Sequence, residues 1–180
     1  AAPMNEIELR NLMYTAQLQQ HSPFAIRYPR GTGVLTNWEV PFEEIKIGEG
    51  NVISEGTDIA IISIGHIGNM INNINKELQE SNINIGHYDI RFLKPLDEKL
   101  LHCVFQKYNY IITIEDGCLK GGLSSAILEF SNDNNYKNNI FRFGVPDKFI
   151  EHGSPQEQRI ECGYDKNSVL KKIQEIINNL

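Results

Sequence analysis

The run Tyr110-Ile111-Ile112-Thr113-Ile114 constrains this chain more than any other feature. Five strand-forming residues without a charge leave no face to turn toward water. Such a strand is covered on both sides, as in a parallel sheet between two layers of helices. The flanking sequence alternates accordingly. Strands are predicted at 52–54, 58–64, 85–90 and 140–144. Helices are predicted at 68–79, from Asp97 onward, at 122–130, at 156–162 and after Asp165. Ile67, Met70, Ile71, Ile74 and Leu78 share one helical face; Leu100, Leu101, Val104 and Phe105 share another. Asp97 and Asp165 stand where N-caps belong. The last helix carries the stripe Val169, Leu170, Ile173, Ile176, Ile177 and Leu180. Glu55-Gly56-Thr57 reads as a tight turn that pairs the first two strands as an antiparallel hairpin. The pattern implies a three-layer αβα domain around a mostly parallel sheet.

The first third of the chain reads differently. Residues 5–20 predict a helix capped by Asn5, with Glu8 completing a capping box and Ile7, Leu9, Leu12, Met13 and Ala16 as its apolar stripe. Residues 24–28 predict a strand. One helix and one strand cannot bury their apolar faces alone. Residues 1–33 are therefore expected to be the tail of a domain whose earlier part lies elsewhere. The chain begins at Ala1 rather than Met, which fits a cleavage or an excerpt. Pro41, Gly48 and Gly50, in a stretch without periodicity, mark 34–50 as a linker, leaving 51–180 as the αβα domain.

A net charge of −6 and a pI near 5.4 lack the basic footprint of a nucleic-acid partner, while still allowing a local basic pocket. Cys103, Cys118 and Cys162 form no CxxC pair, so reduced thiols and a cytoplasmic location are expected. No apolar run approaches a membrane span, so no membrane partner is expected. Residues 131–139 are an Asn-rich loop.

The most chemical segment is Arg27-Tyr28-Pro29-Arg30-Gly31-Thr32-Gly33. An extended run enters a proline and turns, and the glycines allow close backbone approach. Two guanidiniums at such a turn suit phosphate or carboxylate. Three residues apart in an extended chain, Arg27 and Arg30 face opposite sides, so one serves a site while the other packs. Glu115-Asp116-Gly117 through Gly121-Gly122 ends the buried strand at the sheet edge where ligands bind in open α/β folds. Leu123 excludes a Walker A lysine there, and the structural alternative is a turn whose carboxylate caps the next helix. Glu151-His152-Gly153 invites an acid–base reading; against it stands a loop histidine bonded to backbone or facing a partner. His21, His66, His87 and His102 have no carboxylate or cysteine at metal-ligand spacing, and no metal site is expected. Asp89 or Arg91 is expected to form a structural pair across the domain.

The arginine turn resembles that of the 1-deoxy-D-xylulose-5-phosphate synthases, a thiamine-diphosphate family of the transketolase superfamily. More of the family's pattern follows in order. It comprises Ile47-Gly48-Glu49-Gly50, Glu55 through Gly65, Asp89 through Asp97, Ile114-Glu115-Asp116-Gly117 with Gly121-Gly122, and Gly144 through Gly153. The resemblance spans essentially the whole chain. It implies a transketolase C-terminal-like domain of five strands, one antiparallel, preceded by the last helix and strand of a truncated pyrimidine-binding domain. It further implies that the intact enzyme condenses pyruvate with D-glyceraldehyde 3-phosphate, releases carbon dioxide, and uses thiamine diphosphate with Mg²⁺. Arg30 is the residue it assigns to the aldehyde's phosphate, with Arg27 more structural. No catalytic, cofactor-binding or metal residue is carried over, and the chain alone is expected to bind no cofactor and to be inactive. Its partners are expected to be the remainder of the same polypeptide and, in the intact enzyme, a second copy. The alternatives are another superfamily member, a transketolase or a 2-oxo-acid dehydrogenase β subunit, and a stand-alone assembly or regulatory module.

Overall fold

A computed structural model describes residues 1–18 and 23–180. The strands are β1 Asn51–Ser54, β2 Ile59–Ile64, β3 Gly86–Asp89, β4 Tyr110–Cys118 and β5 Asn139–Val145. The helices are α1 Glu6–Leu18, α2 Gly68–Glu80, α3 Glu98–Lys107, α4 Leu123–Asp133, α5 Pro155–Cys162 and α6 Lys166–Ile177, with a 3₁₀ turn at Gly65–Ile67. The five strands form one sheet in the order β1-β3-β2-β4-β5, with β1 antiparallel and the other pairings parallel.

Alternation along the central strands builds the two cores. Ile59 and Ile61 of β2, with Ile112 and Ile114 of β4, meet Ile71 and Ile74 of α2 and Val169 and Ile173 of α6. Ala60, Ile62 and Ile111 point the other way, onto Leu101, Val104 and Phe105 of α3 and Ile127 and Phe130 of α4. This is the expected three-layer arrangement. Asp97 and Asp165 cap α3 and α6 through Leu100 N and Asn167 N.

The expected hairpin does not form. β1 pairs with β3, and β2 lies between β3 and β4. β2 is buried along nearly its whole length, so it needs a neighbour on each edge and a helix layer on each face. Residues 55–57 instead cross the end of β3. A Cβ at Gly56 would lie 2.2 Å from Gly86 N, and Gly56 N donates to Tyr108 Oη at 3.0 Å. Two boundaries also move: β4 runs on through Cys118, and α4 consumes the start of the Asn-rich loop.

The first third also departs from expectation. Residues 24–28 join no ladder among the described residues; their backbone pairing is with Ala1, whose N donates to Ala25 O and whose O accepts from Arg27 N. Of the predicted α1 stripe only Leu12 is buried, beside the buried polar residues Glu8, Asn11 and Thr15. Those polar groups hold backbone. Asn11 Oδ1 accepts Glu43 N, and Thr15 Oγ1 accepts Ile45 N at 2.8 Å. Glu6 accepts Val34 N and Leu35 N, while Arg10 donates to Trp38 O and Val40 O and lies over the Trp38 and Phe42 rings. Residues 34–45 are thus strapped to α1 by side chains and need no ladder of their own. Leu12, Ile45 and Phe92 form a third small core that seats this region on the sheet domain. Asn5 caps α1 through Glu8 N as expected, but Glu8 returns its bond to Met4 N rather than to Asn5 N. Predicted helical positions 19 and 20, and His21, lie outside the described residues.

Candidate functional site

β3 and β4 lie on opposite sides of β2, so the carboxyl ends of β2 and β4 flank the place where strand order reverses. Open α/β sheets bind ligands there. Here the chain's own first residues enter that crevice. Ala2 N donates to Arg91 O at 2.8 Å, Asn69 Nδ2 donates to Met4 O at 2.6 Å, and Ala2 and Met4 are buried. Gly65 makes room: its φ is +74°, and a Cβ on it would lie 3.0 Å from the Ala2 methyl. What stays open is a cavity of about 450 Å³ beside the crevice, lined among others by Arg27, Ile64, Leu93, Glu115, Lys120 and Gly122.

The two arginines make different contacts. Arg27 lines the cavity and donates through Nη2 to Asp116 O. Arg30 is exposed at the bend and makes no ion pair among the described residues. The Arg27 side chain therefore staples the turn to β4, while the Arg30 guanidinium makes no hydrogen bond or ion pair with a described residue.

Each acidic residue at the end of β4 has a structural task. Glu115 is buried and caps α4: its carboxylate accepts Leu123 N at 2.9 Å, Ser124 N at 2.8 Å and Ser124 Oγ at 2.8 Å. Gly122 is required for that approach, since a Cβ there would lie 2.0 Å from Glu115 Oε2. The capping alternative for this loop is the one observed. Asp116 turns to the other layer. It accepts from Tyr164 Oη at 2.6 Å, pairs with His66 Nε2 at 2.8 Å and lies 3.6 Å from Arg159 Nη2. The His66 hydrogen bond, followed by that of Tyr164, holds the Asp116 carboxyl below the usual carboxylate range despite partial burial. Spacing along the chain gave no hint of this pair. The signal lay in strand register: β2 and β4 align Ile64 with Glu115, so the residues just beyond them meet.

Asp89 and Arg91 are structural, as expected, but separately. Arg91 pairs with Glu8 of α1 at 2.8 Å. Asp89 is buried, accepting Ser63 Oγ and Gly65 N at 3.0 Å each, and burial pushes its pKa well above the usual range. Ser63 also meets His87 Nε2 at 2.9 Å, and His87 Nδ1 meets the Asn72 amide at 2.8 Å. Ser63, His87 and Asp89 do not constitute a hydrolytic triad. All three are sealed from solvent, and the aspartate binds the serine rather than orienting the histidine. His152 is exposed and makes no side-chain hydrogen bond to a described residue; His102 bonds Tyr136 Oη at 2.8 Å. No group of three potential metal ligands occurs among the described residues.

The buried His87 carries a pH prediction. Burial lowers its pKa to about 4. Below about 6.5 the unfolded chain takes up a proton that the fold refuses, so this group makes stability fall as pH drops from about 6.5 to 4. At about 1.4 kcal/mol per pKa unit the loss attributable to His87 is roughly 3 kcal/mol. The fall in unfolding free energy from pH 7 to pH 4.5, measured by urea titration, should be larger for wild type than for His87→Gln by most of that amount. Parallel pH profiles would mean His87 is not sealed.

Comparison with known proteins fits this geometry. The model of the transketolase C-terminal domain matches residues 48–169, most of the chain. The chain belongs to the transketolase C-terminal domain family. It is similar to the 1-deoxy-D-xylulose-5-phosphate synthases of Cytophaga hutchinsonii (54% identity over 98% of the chain) and Bacteroides fragilis (53% over 96%). It spans only 28% and 27% of the lengths of those two relatives. Among solved structures, a split-gene transketolase described as an inactive β4 tetramer superposes with a TM-score of 0.83 at 25% identity, covering 97% of this chain and 56% of that one. A Campylobacter jejuni transketolase, at 12% identity and a TM-score of 0.52, shares the fold over 71% of this chain and 18% of its own. Residues 1–47, which include α1 and the segment strapped to it, lie outside the family model's match.

Proposed function

We propose that this chain is part of a 1-deoxy-D-xylulose-5-phosphate synthase, which joins pyruvate to D-glyceraldehyde 3-phosphate with loss of carbon dioxide. The observation that carries this is 54% identity to a synthase of that name across 98% of the chain, against 25% to the split-gene transketolase. Thiamine diphosphate with Mg²⁺ would supply the carbanion chemistry. Neither acidic residue at the end of β4 is offered to that group: Glu115 is spent on the α4 cap and Asp116 on His66 and Tyr164. No step is therefore assigned to this chain through the cofactor. Its own contribution is the arginine turn, with Arg30 free to hold the substrate phosphate and Arg27 fastening the turn to β4. Residues 1–33 would complete a pyrimidine-binding domain, 34–50 would link it, and 51–180 would form the C-terminal domain. Exposed Trp38, Val40, Phe42 and Phe149 would face the remainder of the polypeptide or a second copy. No described helix is long and apolar enough to cross a membrane, and the enzyme would work in the cytoplasm.

The test is a donor panel on the full-length enzyme. Carbon dioxide release from pyruvate should depend on D-glyceraldehyde 3-phosphate, and ketose phosphates should not serve as donors. Two-carbon transfer from a ketose phosphate without carbon dioxide would establish a transketolase instead. Calorimetric titration of this chain alone with thiamine diphosphate and Mg²⁺ should show no binding. Micromolar affinity would place cofactor groups inside it.

A further inference from the structure

We propose that Asp116 is a positioning residue for the phosphate-binding arginine turn; this rests on the synthase reading. Four observations converge on it. First, the β4–β5 register breaks between Ile114 and Cys118, so Glu115, Asp116 and Gly117 leave the ladder with β5. Arg27 Nη2 donates to the Asp116 carbonyl within that interruption. Second, the Asp116 side chain fixes that bulge from the opposite layer. Its carboxylate is held by His66 from the turn after β2 and by Tyr164 from the segment between α5 and α6, with Arg159 of α5 nearby. Third, His66 Nε2 gives its hydrogen to the carboxylate, so Arg159 Nη2, 3.2 Å from that nitrogen, is not bonded to the imidazole and instead adds its charge to Asp116. Fourth, Arg27 and Arg30 sit on one short segment containing Pro29, which limits how far one can move without the other. The anchored Asp116 carboxylate thus sets the same residue's carbonyl, the carbonyl sets Arg27, and Arg27 sets the turn.

The experiment uses the full-length enzyme with two acceptors, D-glyceraldehyde 3-phosphate and unphosphorylated D-glyceraldehyde. Asp116→Ala should raise KM for the phosphorylated acceptor about tenfold, the scale of one charge-assisted hydrogen bond, with kcat and pyruvate KM within about twofold. The unphosphorylated acceptor should be unaffected, and Asp116→Asn should restore part of the loss. The double variant Arg27→Ala/Asp116→Ala should be no worse than Arg27→Ala, because both act through one contact. If Asp116→Ala fails to fold, Tyr164→Phe removes one of the carboxylate's bonds and should show a smaller defect of the same kind.

Equal losses with both acceptors, or additive effects in the double variant, overturn the positioning role. If wild type turns over and Arg30→Ala or Arg27→Ala raises KM while the Asp116 and Tyr164 variants do not, this inference alone falls. A wild type inactive on pyruvate and the aldehyde phosphate removes the functional reading and this inference together.

Discussion

Replacing Arg30 by alanine in the full-length enzyme should lower kcat/KM for D-glyceraldehyde 3-phosphate by about 10- to 150-fold. Arg30 stands exposed at the bend after Pro29, with no ion pair among the described residues, so little of its binding capacity is spent within the fold. A hydrogen bond to a charged group contributes roughly 1.5–3 kcal/mol, which gives that range. The loss should fall mainly on the aldehyde, with pyruvate kinetics little changed. Arg30→Lys should recover only part, because an ammonium lacks the planar fork that meets phosphate in two places. Fold stability should change little, since the side chain is exposed and makes no hydrogen bond or ion pair with a described residue. Unchanged aldehyde kinetics in Arg30→Ala, together with a raised KM in Arg27→Ala, would move the phosphate onto the cavity-lining arginine.

The second large effect is on stability. Glu115→Ala should destabilise the chain by about 3 kcal/mol, since it removes three hydrogen bonds to one buried carboxylate and leaves the amides of Leu123 and Ser124 unpaired. It also removes a negative charge from the start of α4, where the helix dipole favours one. Glu115→Gln keeps one acceptor oxygen and should lose about half as much. Urea unfolding of the chain measures both. A loss under about 1 kcal/mol for Glu115→Ala would mean that water replaces the carboxylate.

Both cores were legible because they follow from period alone. The uncharged run at 110–114 required cover on both faces, and the helical stripes of α2, α3 and α6 supplied it. Asp97 and Asp165 declared two helix starts through local chemistry. The partner of β1 was not legible. Gly56 looks like a hairpin residue, but its lack of a Cβ serves contact with the backbone of β3, which no local window reveals. α1 misled for a related reason. Its inward face is polar because Glu8, Asn11 and Thr15 bond to chain 30 or more residues away, or to Met4 and Arg91, and apolar periodicity does not register such bonds. Of the candidate site, the arginine turn and the capping option for Glu115 could be read from residue type and position. The Asp116–His66–Tyr164 group could not, because it joins three segments far apart in sequence whose meeting is set by the register of two parallel strands.

The most direct test of the account is the product itself. Full-length enzyme given pyruvate labelled with carbon-13 at its carbonyl carbon, together with D-glyceraldehyde 3-phosphate, should yield one carbon dioxide and one five-carbon 1-deoxy-ketose phosphate per turnover, the label sitting at the ketone. Mass spectrometry and carbon-13 NMR read both. A labelled acyl product without the aldehyde, or a product with no label from pyruvate, would contradict the account.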